Sequence, residues 1–209
     1  MNILLAIQGA VSQGVLWGIM ALGVYITFRL LDIADLTVDG SFATGGAVCA
    51  VAITNGVSPL LSIVLALLAG VVPGWITGFL HTKCQIPAIL AGILTQIGLY
   101  SINLRIMGRS NLPLLQSNTV FKSFQKLTGL NIQWTAIVIG VFFAALTAGL
   151  LYWFFGTETG SAIRATGNNE NMARALGVNT NFTKLLGLML ANGLIAVSGA
   201  LVTQSQGYA

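Results

Sequence analysis

Charged residues are rare in this chain, and their positions constrain its fold more than any motif does. Only nine Lys or Arg and five Asp or Glu occur among 209 residues. They leave long runs without charge, which cover residues 1–28, 40–80, 84–104, 127–157 and 185–209. A helix of about 20 apolar residues crosses a bilayer core, so each run is long enough to span a membrane at least once.

These runs predict an all-α fold, a polytopic transmembrane helical bundle that forms a single domain over residues 1–209. The run 40–80 is too long for one span, and Gly56, Ser58 and Pro59 break it at its centre. We therefore predict six spans, at about 3–28, 41–56, 60–80, 87–104, 134–155 and 185–206. The second, with roughly 16 residues, is short enough to be broken or tilted.

Composition excludes several other classes of protein. Mean hydropathy is +0.87, and runs this apolar would be insoluble on the surface of a soluble protein. They lack the alternation of barrel strands, and residues 1–28 lack the basic start of a cleaved signal peptide.

Cys49 and Cys84 have no spacing that suggests a metal site or a disulfide. The net charge of +4 comes from loops at lipid surfaces, so we expect no nucleic-acid partner.

Loop charges do not decide the orientation of the bundle. If loop 156–184 is cytoplasmic, loops 29–40 and 81–86 share that side, and the three loops together carry five Lys or Arg. The opposite side carries four, all of them in loop 105–133. The positive-inside rule needs a larger difference.

The most informative polar segment is Gly160–Asn179, which lies between two strongly apolar runs. Asn169, or the asparagine before it, is suited to accept hydrogen bonds from the free N–H groups that begin a short helix. Glu170 places a negative charge at the positive end of that helix, and Arg174 follows at the spacing of an i,i+4 ion pair. Gly177 supplies a left-handed residue that ends it. The pattern predicts a short, rigid helix with a polar face at the membrane surface.

The segment 28–46 is the second place to look for function, because three aspartates stand close to the membrane before small and hydroxylated residues. Asp39 or Ser41 is positioned to cap the second helix, whose free N–H groups favour an anion or carboxylate. A solvated loop with capping aspartates is the competing interpretation. Polar side chains inside spans either line a pathway or bond to a neighbouring helix. The residues that we assign to a translocation path are Asp39, Ser41, Thr44, Gly45, Gly46, Gln96 and Asn192.

Glycines spaced by four residues predict close helix contacts. They form a ladder at Gly70, Gly74 and Gly78, and a single pair at Gly14 and Gly18. This spacing lets helix backbones approach in a membrane, and packing within the chain is its simplest interpretation.

Enzyme chemistry has no support in the sequence. There is no phosphate-binding loop of the GxxxxGK[ST] type, so the chain has no evident means of binding ATP by that route. The one histidine, His81, lies beside Lys83 at a membrane edge, where no Ser/His/Asp constellation is plausible, and the sequence has no HExxH motif. We therefore predict that the chain is not an enzyme and holds no metal.

Two segments resemble a known family, the permease subunits of bacterial ABC importers. They are RLLDIADLTVDGSFATGGAV, at 29–48, and SAIRATGNNENMARALGVNTNFTKLLGLMLANGLIAVSGALV, at 161–202. The similarity is to the branched-chain amino acid and ribose-type superfamily, and within it to the branch proposed to carry tryptophan, tyrosine or related amino acids. Relatives often have three residue pairs in their coupling loop, matched here by Arg164-Ala165, Met172-Ala173 and Leu176-Gly177.

The resemblance implies that loop 156–184 is cytoplasmic and couples the spans to a separate ABC ATPase. ATP and Mg²⁺ would be held by that ATPase, with no cofactor in this chain. A second permease copy, identical or paralogous, and an extracytoplasmic substrate-binding protein complete the implied assembly in the bacterial cytoplasmic membrane. The pattern and the resemblance together assign to ATPase coupling the residues Arg164, Asn169, Glu170, Met172, Ala173, Arg174, Leu176 and Gly177.

Two other functions are left open by the sequence. A self-sufficient channel or secondary transporter usually carries charges inside its spans for ion coupling, whereas these runs have none. Relatives continue with further spans beyond the position of Ala209, so a truncated fragment that does not transport is the other alternative. The substrate is not named by any residue, and an amino acid is implied by the resemblance alone.

Overall fold

The computed structural model describes residues 3–114, 117–129 and 131–209, which fold into helices joined by short loops. The helices are α1 (Ile3–Tyr25), α2 (Val38–Thr54), α3 (Pro59–Thr82), α4 (Ala88–Met107), α5 (Val120–Thr128), α6 (Ile132–Phe155), α7 (Glu158–Asn168), α8 (Glu170–Ala175) and α9 (Thr180–Gln206). A π-helical turn, Ile26–Leu30, continues α1. In these described ranges the only β pairing is an isolated bridge between Pro113 and Tyr208.

The predicted all-α polytopic bundle is confirmed. Five helices are long and apolar enough to cross a membrane, and the second predicted span, α2, is a shorter apolar helix of 17 residues. The ends differ from the predicted spans by a few residues. The largest difference is at α9, which begins at Thr180 rather than at residue 185.

The prediction that Asp39 or Ser41 caps α2 is wrong. α2 begins at Val38, so both residues lie inside the helix, and Thr37 is the N-cap residue. Asp35 explains the earlier start, because its Oδ1 accepts a hydrogen bond of 2.9 Å from the Thr37 N–H. That bond satisfies a backbone donor just before the helix and fixes the chain where the first turn begins.

α9 forms the centre of the bundle. Helices α1, α2 and α3 pack around it, α4 packs on α2 and α3, and α6 lies against α1. In its most apolar stretch 72% of the residues of α9 are buried, against 17% in α6. Leu188, Ile195 and Leu201 of α9 are fully buried. α9 is therefore the helix through which the other spans are connected.

Small residues let α3 approach α9 closely. Cβ atoms added at Gly70 and Gly74 would collide with the backbone of α9, and one added at Gly78 would collide with a leucine of the same helix. The ladder is thus used for packing within the chain, as expected. Gly14 and Gly18 differ, since neither position has a neighbouring atom of the described chain within 4 Å of an added Cβ.

The two ends of the bundle are built differently. At one end α7 and α8 cover the end of α1 and the start of α9. At the other end the N–H groups of Leu112 and Leu114 donate to the carbonyls of Ala209 and Gly207. There Phe121 of α5 is buried in the core, with an exposed fraction of only 2%.

Candidate functional site

Helices α7 and α8 form a polar cap at one end of the bundle. Thr157 begins α7 by accepting a hydrogen bond of 3.3 Å from the Gly160 N–H. Gly167 lies against the backbone of Leu30, where a larger residue would not fit. The Thr166 and Thr183 hydroxyls are 2.8 Å apart and join α7 to α9. The cap is therefore attached both to the π-helical turn and to the central helix.

α8 is capped at both ends as the sequence predicts. The Asn169 side-chain oxygen accepts a hydrogen bond of 3.0 Å from the Met172 N–H. Gly177 has a φ of +85°, and the next N–H, of Val178, bonds back to the Ala173 carbonyl at 3.0 Å. This arrangement satisfies carbonyls at the end of the helix. A helix of only six residues is held in one geometry by its caps.

Glu170 makes two ion pairs, one within α8 and one to α9. One carboxylate oxygen is 2.8 Å from the guanidinium of Arg174, and the other is 2.7 Å from the ammonium of Lys184. The hydrogen bond from Lys184 lowers the pKa of Glu170 below its usual value. Only the first pair is predicted by helical spacing, since Lys184 lies on another helix. The second pair connects the surface helix directly to the first turns of α9.

The surface of α8 combines exposed apolar side chains with these charges. Met172 has an exposed fraction of 55% and Leu176 one of 71%, while Ala173 faces inward and is buried. Exposed apolar groups ringed by polar ones are typical of a protein contact. Arg164 lies apart from this surface. It is on α7, and its guanidinium donates to the Phe155 carbonyl at 2.9 Å.

The residues assigned to a path separate onto two faces of α2. On the face toward α9, the Ser41 hydroxyl donates to the Asn192 side-chain oxygen at 2.5 Å. Gly45 lies against the backbone of α9, and Gly46 lies beside Thr203. Thr44 is buried on the same side, and its hydroxyl bonds within α2. This face is closely packed.

Asp39 and Gln96 lie on the other face of α2, where they border a cavity of about 340 Å³ between α2 and α4. Tyr100 and Asn103 of α4 also line it. Asn103 is 4% exposed, yet its side-chain oxygen accepts no hydrogen bond within the described residues. Its nitrogen donates only at 3.5 Å, to the Gly40 carbonyl. The cavity therefore holds a carboxylate, an amide and an unpaired acceptor.

Asp35 is the residue that sequence reasoning missed. It is 1% exposed, and its Oδ2 accepts a hydrogen bond of 2.8 Å from the Asn192 side chain. Nearby, the hydroxyls of Thr37, Thr77 and Thr95 form a chain with separations of 2.7 and 2.9 Å. These contacts connect α2, α3, α4 and α9. No local spacing identifies them, because the partners are far apart in the sequence.

No metal centre emerges from the parts of the chain that the structure describes. They contain no group of three or more His, Cys, Asp or Glu side chains that could hold an ion. Glu170, the most strongly paired carboxylate, is already engaged by two cations.

Several known proteins of similar sequence are named as transport permeases. Residues 6–209 match the model of the family described as branched-chain amino acid transport system / permease component. A tyrosine transport system permease protein of Clostridioides difficile is 41% identical over 97% of this chain. A probable branched-chain amino acid transport permease protein of Methanocaldococcus jannaschii is 27% identical over 94%. A ribose import permease protein of Escherichia coli is 26% identical over 88%.

The chain spans only part of the length of these relatives. It covers 65% of the tyrosine permease, 65% of the branched-chain permease and 56% of the ribose permease. No solved structure matches it. The match over residues 6–209 and the apolar spans nevertheless agree. The chain belongs to the family of branched-chain amino acid transport system permease components, and it is a multi-pass protein of the cytoplasmic membrane.

Proposed function

We propose that this chain is the membrane-spanning permease subunit of an ATP-driven importer that moves a small solute, an amino acid, into the cell. The observation that carries the proposal is α8. It is capped at both ends, joined to the central helix through Glu170 and Lys184, and exposes Met172 and Leu176. Such a surface suits rigid contact with a soluble partner. That partner is a cytoplasmic ABC ATPase, which binds ATP and Mg²⁺.

The contacts of α8 and α7 suggest how ATPase motion reaches the spans. A displacement of α8 pulls on Lys184 through Glu170, and a displacement of α7 acts on Thr183 through Thr166. Both residues lie in the first turns of α9. Because α9 packs on α1, α2 and α3, its movement changes the contacts of three spans together. Packed helices of this kind switch between discrete arrangements rather than deforming continuously.

The α2–α4 cavity is our proposed start of the path. The Asp39 carboxylate makes no hydrogen bond or ion pair within the described residues, so it is available to the ammonium group of an amino acid. Gln96 offers both a donor and an acceptor beside it. A sugar has no cation that would use a carboxylate in this way. The remaining path residues, Ser41, Thr44, Gly45, Gly46 and Asn192, would be uncovered when α2 and α9 separate.

Two further partners complete the proposal. A second permease copy, identical or paralogous, would cover the open side of the α2–α4 cavity and shield it from lipid. A substrate-binding protein would deliver the solute at the end of the bundle formed by α5 and the residues around Gly207. The relatives carry names for tyrosine, branched-chain amino acids and ribose, so those three solutes are the ones to compare.

Uptake by the assembled importer in proteoliposomes tests this function. We expect accumulation of labelled tyrosine or leucine that requires ATP, and no accumulation of ribose. Uptake of equal size without ATP would instead show a channel or a secondary transporter. Accumulation of ribose alone would remove the amino acid from the proposal, and no uptake of any solute would contradict transport by this chain.

Two substitutions in the cavity test the path within the same assay. Asp39→Asn should lower amino acid uptake about tenfold, since a charge-assisted contact is worth about 1.5–3 kcal/mol. Ala43→Leu should also lower uptake, because it fills the cavity without changing charge. Ala145→Leu adds the same bulk on the exposed surface of α6 and should leave uptake unchanged. If Asp39→Asn and Ala43→Leu both transport normally, the path lies elsewhere.

A further inference from the structure

Two adjoining cavities occupy the corner where α1, α6 and α7 meet. One has a volume of about 750 Å³ and the other about 470 Å³. They share three residues, Tyr25, Leu30 and Arg164, so they form one continuous depression. It lies at the end of the bundle that carries α7 and α8, where the spans leave the apolar part of the membrane.

The two cavities differ in chemistry. The larger one runs between α1 and α6 and is lined by Leu22, Ile26, Ala148 and Leu151. The smaller one is lined by polar groups that include Arg29, Asp32 and Asn168. A ligand that filled both would need a long apolar part and a polar end. A phospholipid has such an apolar part and polar end. The apolar cavity lies along the spans and the polar cavity lies at their end, as the acyl chains and the headgroup of a lipid do in a leaflet.

Charge at the polar end favours an anion. Arg29 is exposed and makes no hydrogen bond or ion pair within the described residues. Arg164 donates to the Phe155 carbonyl and to the Ser161 hydroxyl at 3.3 Å, which leaves further guanidinium N–H groups available. Asp32 is the one carboxylate in the cavity, so two cations face one anion. Guanidinium groups bind phosphate through paired hydrogen bonds.

The surroundings are those of a membrane interface. Tyr25, Tyr152 and Trp153 border the larger cavity and have exposed fractions of 54%, 88% and 69%. Tyr and Trp concentrate at the level of lipid headgroups. The wall on this side includes residues of the π-helical turn Ile26–Leu30, which continues α1, and π-helical turns occur frequently at functional sites.

We propose that this depression binds one anionic phospholipid from the leaflet next to α7, with an acyl chain between α1 and α6 and the phosphate on Arg29 and Arg164. The proposal does not depend on the transport function, because each of its observations concerns the membrane surface of the chain. A soluble phosphate would use only the smaller cavity. A second copy of the chain is the competing occupant of the larger one.

Native mass spectrometry of the detergent-solubilised full chain tests the proposal. The probes are dioleoylphosphatidylglycerol and dioleoylphosphatidylcholine, which share acyl chains and differ in net charge. We expect the phosphatidylglycerol adduct to dominate. Arg29→Gln and Arg164→Gln should each weaken it about fivefold, the value of one cation near an anionic lipid surface. Arg164→Lys keeps the charge and should retain most of the binding.

Two further variants separate a site from general attraction. Leu151→Trp fills the apolar cavity and should weaken both lipids. Arg105→Gln removes an exposed cation at the opposite end of the bundle and should change neither. Equal binding of the two lipids, or an equal effect of Arg105→Gln and Arg164→Gln, would overturn the proposal. So would a disulfide between two copies of Tyr152→Cys in bilayers that excludes the lipid, since a second copy would then fill the groove.

Discussion

Asn192 connects more of the buried polar structure than any local pattern would suggest. Its side-chain oxygen accepts from Ser41, and its nitrogen donates to Asp35 and to the Leu188 carbonyl. In the low dielectric of a helix bundle, removing one member of such a network leaves the others without partners. Asn103 differs from it, since it is also buried but its side-chain oxygen accepts no hydrogen bond within the described residues.

We therefore expect Asn192→Leu to lower the stability of the folded chain and Asn103→Leu to leave it unchanged. Asn192→Leu should destabilise the chain by about 1–3 kcal/mol, because Asp35 and Ser41 lose a partner while buried. Asn103→Leu should cause no loss, because it removes a polar group that has only one long hydrogen bond. Thermal unfolding in detergent, followed by tryptophan fluorescence, measures both. Equal losses for the two variants would contradict this account of Asn192.

Gly177 offers a test of the cap on α8. Its φ of +85° is costly for residues with a Cβ, and apart from its chain neighbours no atom of the described residues lies within 4 Å of an added Cβ, so the penalty expected is backbone strain. Gly177→Val should cost about 1–2 kcal/mol in this conformation and reduce ATP-driven uptake without loss of membrane insertion. Gly177→Asn tolerates the left-handed region better and should retain more uptake. Identical uptake in the two variants would show that the cap geometry does not matter for coupling.

The hydrogen bonds of α8 could be predicted from the sequence, whereas those of the buried polar residues could not. The Asn169 cap, the Glu170–Arg174 pair and the left-handed Gly177 are all read from spacings of a few residues, and all three are present. The Asp35–Asn192 bond joins residues 157 positions apart. The prediction of the α2 cap failed for a different reason, because the bond that precedes the helix, from the Thr37 N–H to Asp35 Oδ1, spans only two residues. Local spacing identifies bonds between neighbouring residues, but it does not always select the correct one.

At the scale of elements, long apolar helices were predictable and short amphipathic ones were less so. The spans follow from charge-free runs that must each satisfy their own backbone groups in a membrane. α7 was not predicted as a separate helix. Its sequence, ETGSAIRATGN, contains two glycines and two threonines, which are weak helix formers. Contacts with Leu30 and Thr183 hold α7 in place, and these tertiary contacts cannot be predicted from local sequence patterns.

The Glu170–Lys184 pair makes the attachment of α8 to α9 sensitive to acid. Lys184 lowers the pKa of Glu170 in the folded chain, so the pair contributes its full stability above the ordinary glutamate pKa of about 4.3. The contribution is lost as pH falls through the lower, folded-state pKa. We expect a nitroxide label at Asn171 to become mobile in that acidic range. The electron paramagnetic resonance line shape measures this mobility.

Two variants check the assignment of this acid transition. Glu170→Gln has no titrating group and should show a mobile label at every pH. Glu158→Gln neutralises an exposed carboxylate in the first turn of α7 and should leave the transition unchanged. An acid transition that persists in Glu170→Gln would assign it to another group.

At the scale of the whole molecule, α9 links the two ends of the bundle. Its first turns contact α7 and α8, its middle bonds to Asp35 and Ser41, and Gln204 near its end bonds to α3 and to the N–H of Val120. The proposed importer uses this helix to connect an ATPase at one end with a path between the spans. Loop charges leave the orientation undecided, so the side on which α8 lies is the claim on which the account depends.

Cysteine crosslinking in the assembled complex tests that claim most directly. Cys84 is exposed and must first be replaced by serine, whereas buried Cys49 can stay. Asn171→Cys lies on the exposed surface of α8, and Asn118→Cys is a matched exposed position at the opposite end. We predict that Asn171→Cys forms a disulfide with a cysteine on the ATPase subunit and that Asn118→Cys does not. Labelling of Asn171→Cys by a membrane-impermeant maleimide added to intact cells would contradict the account.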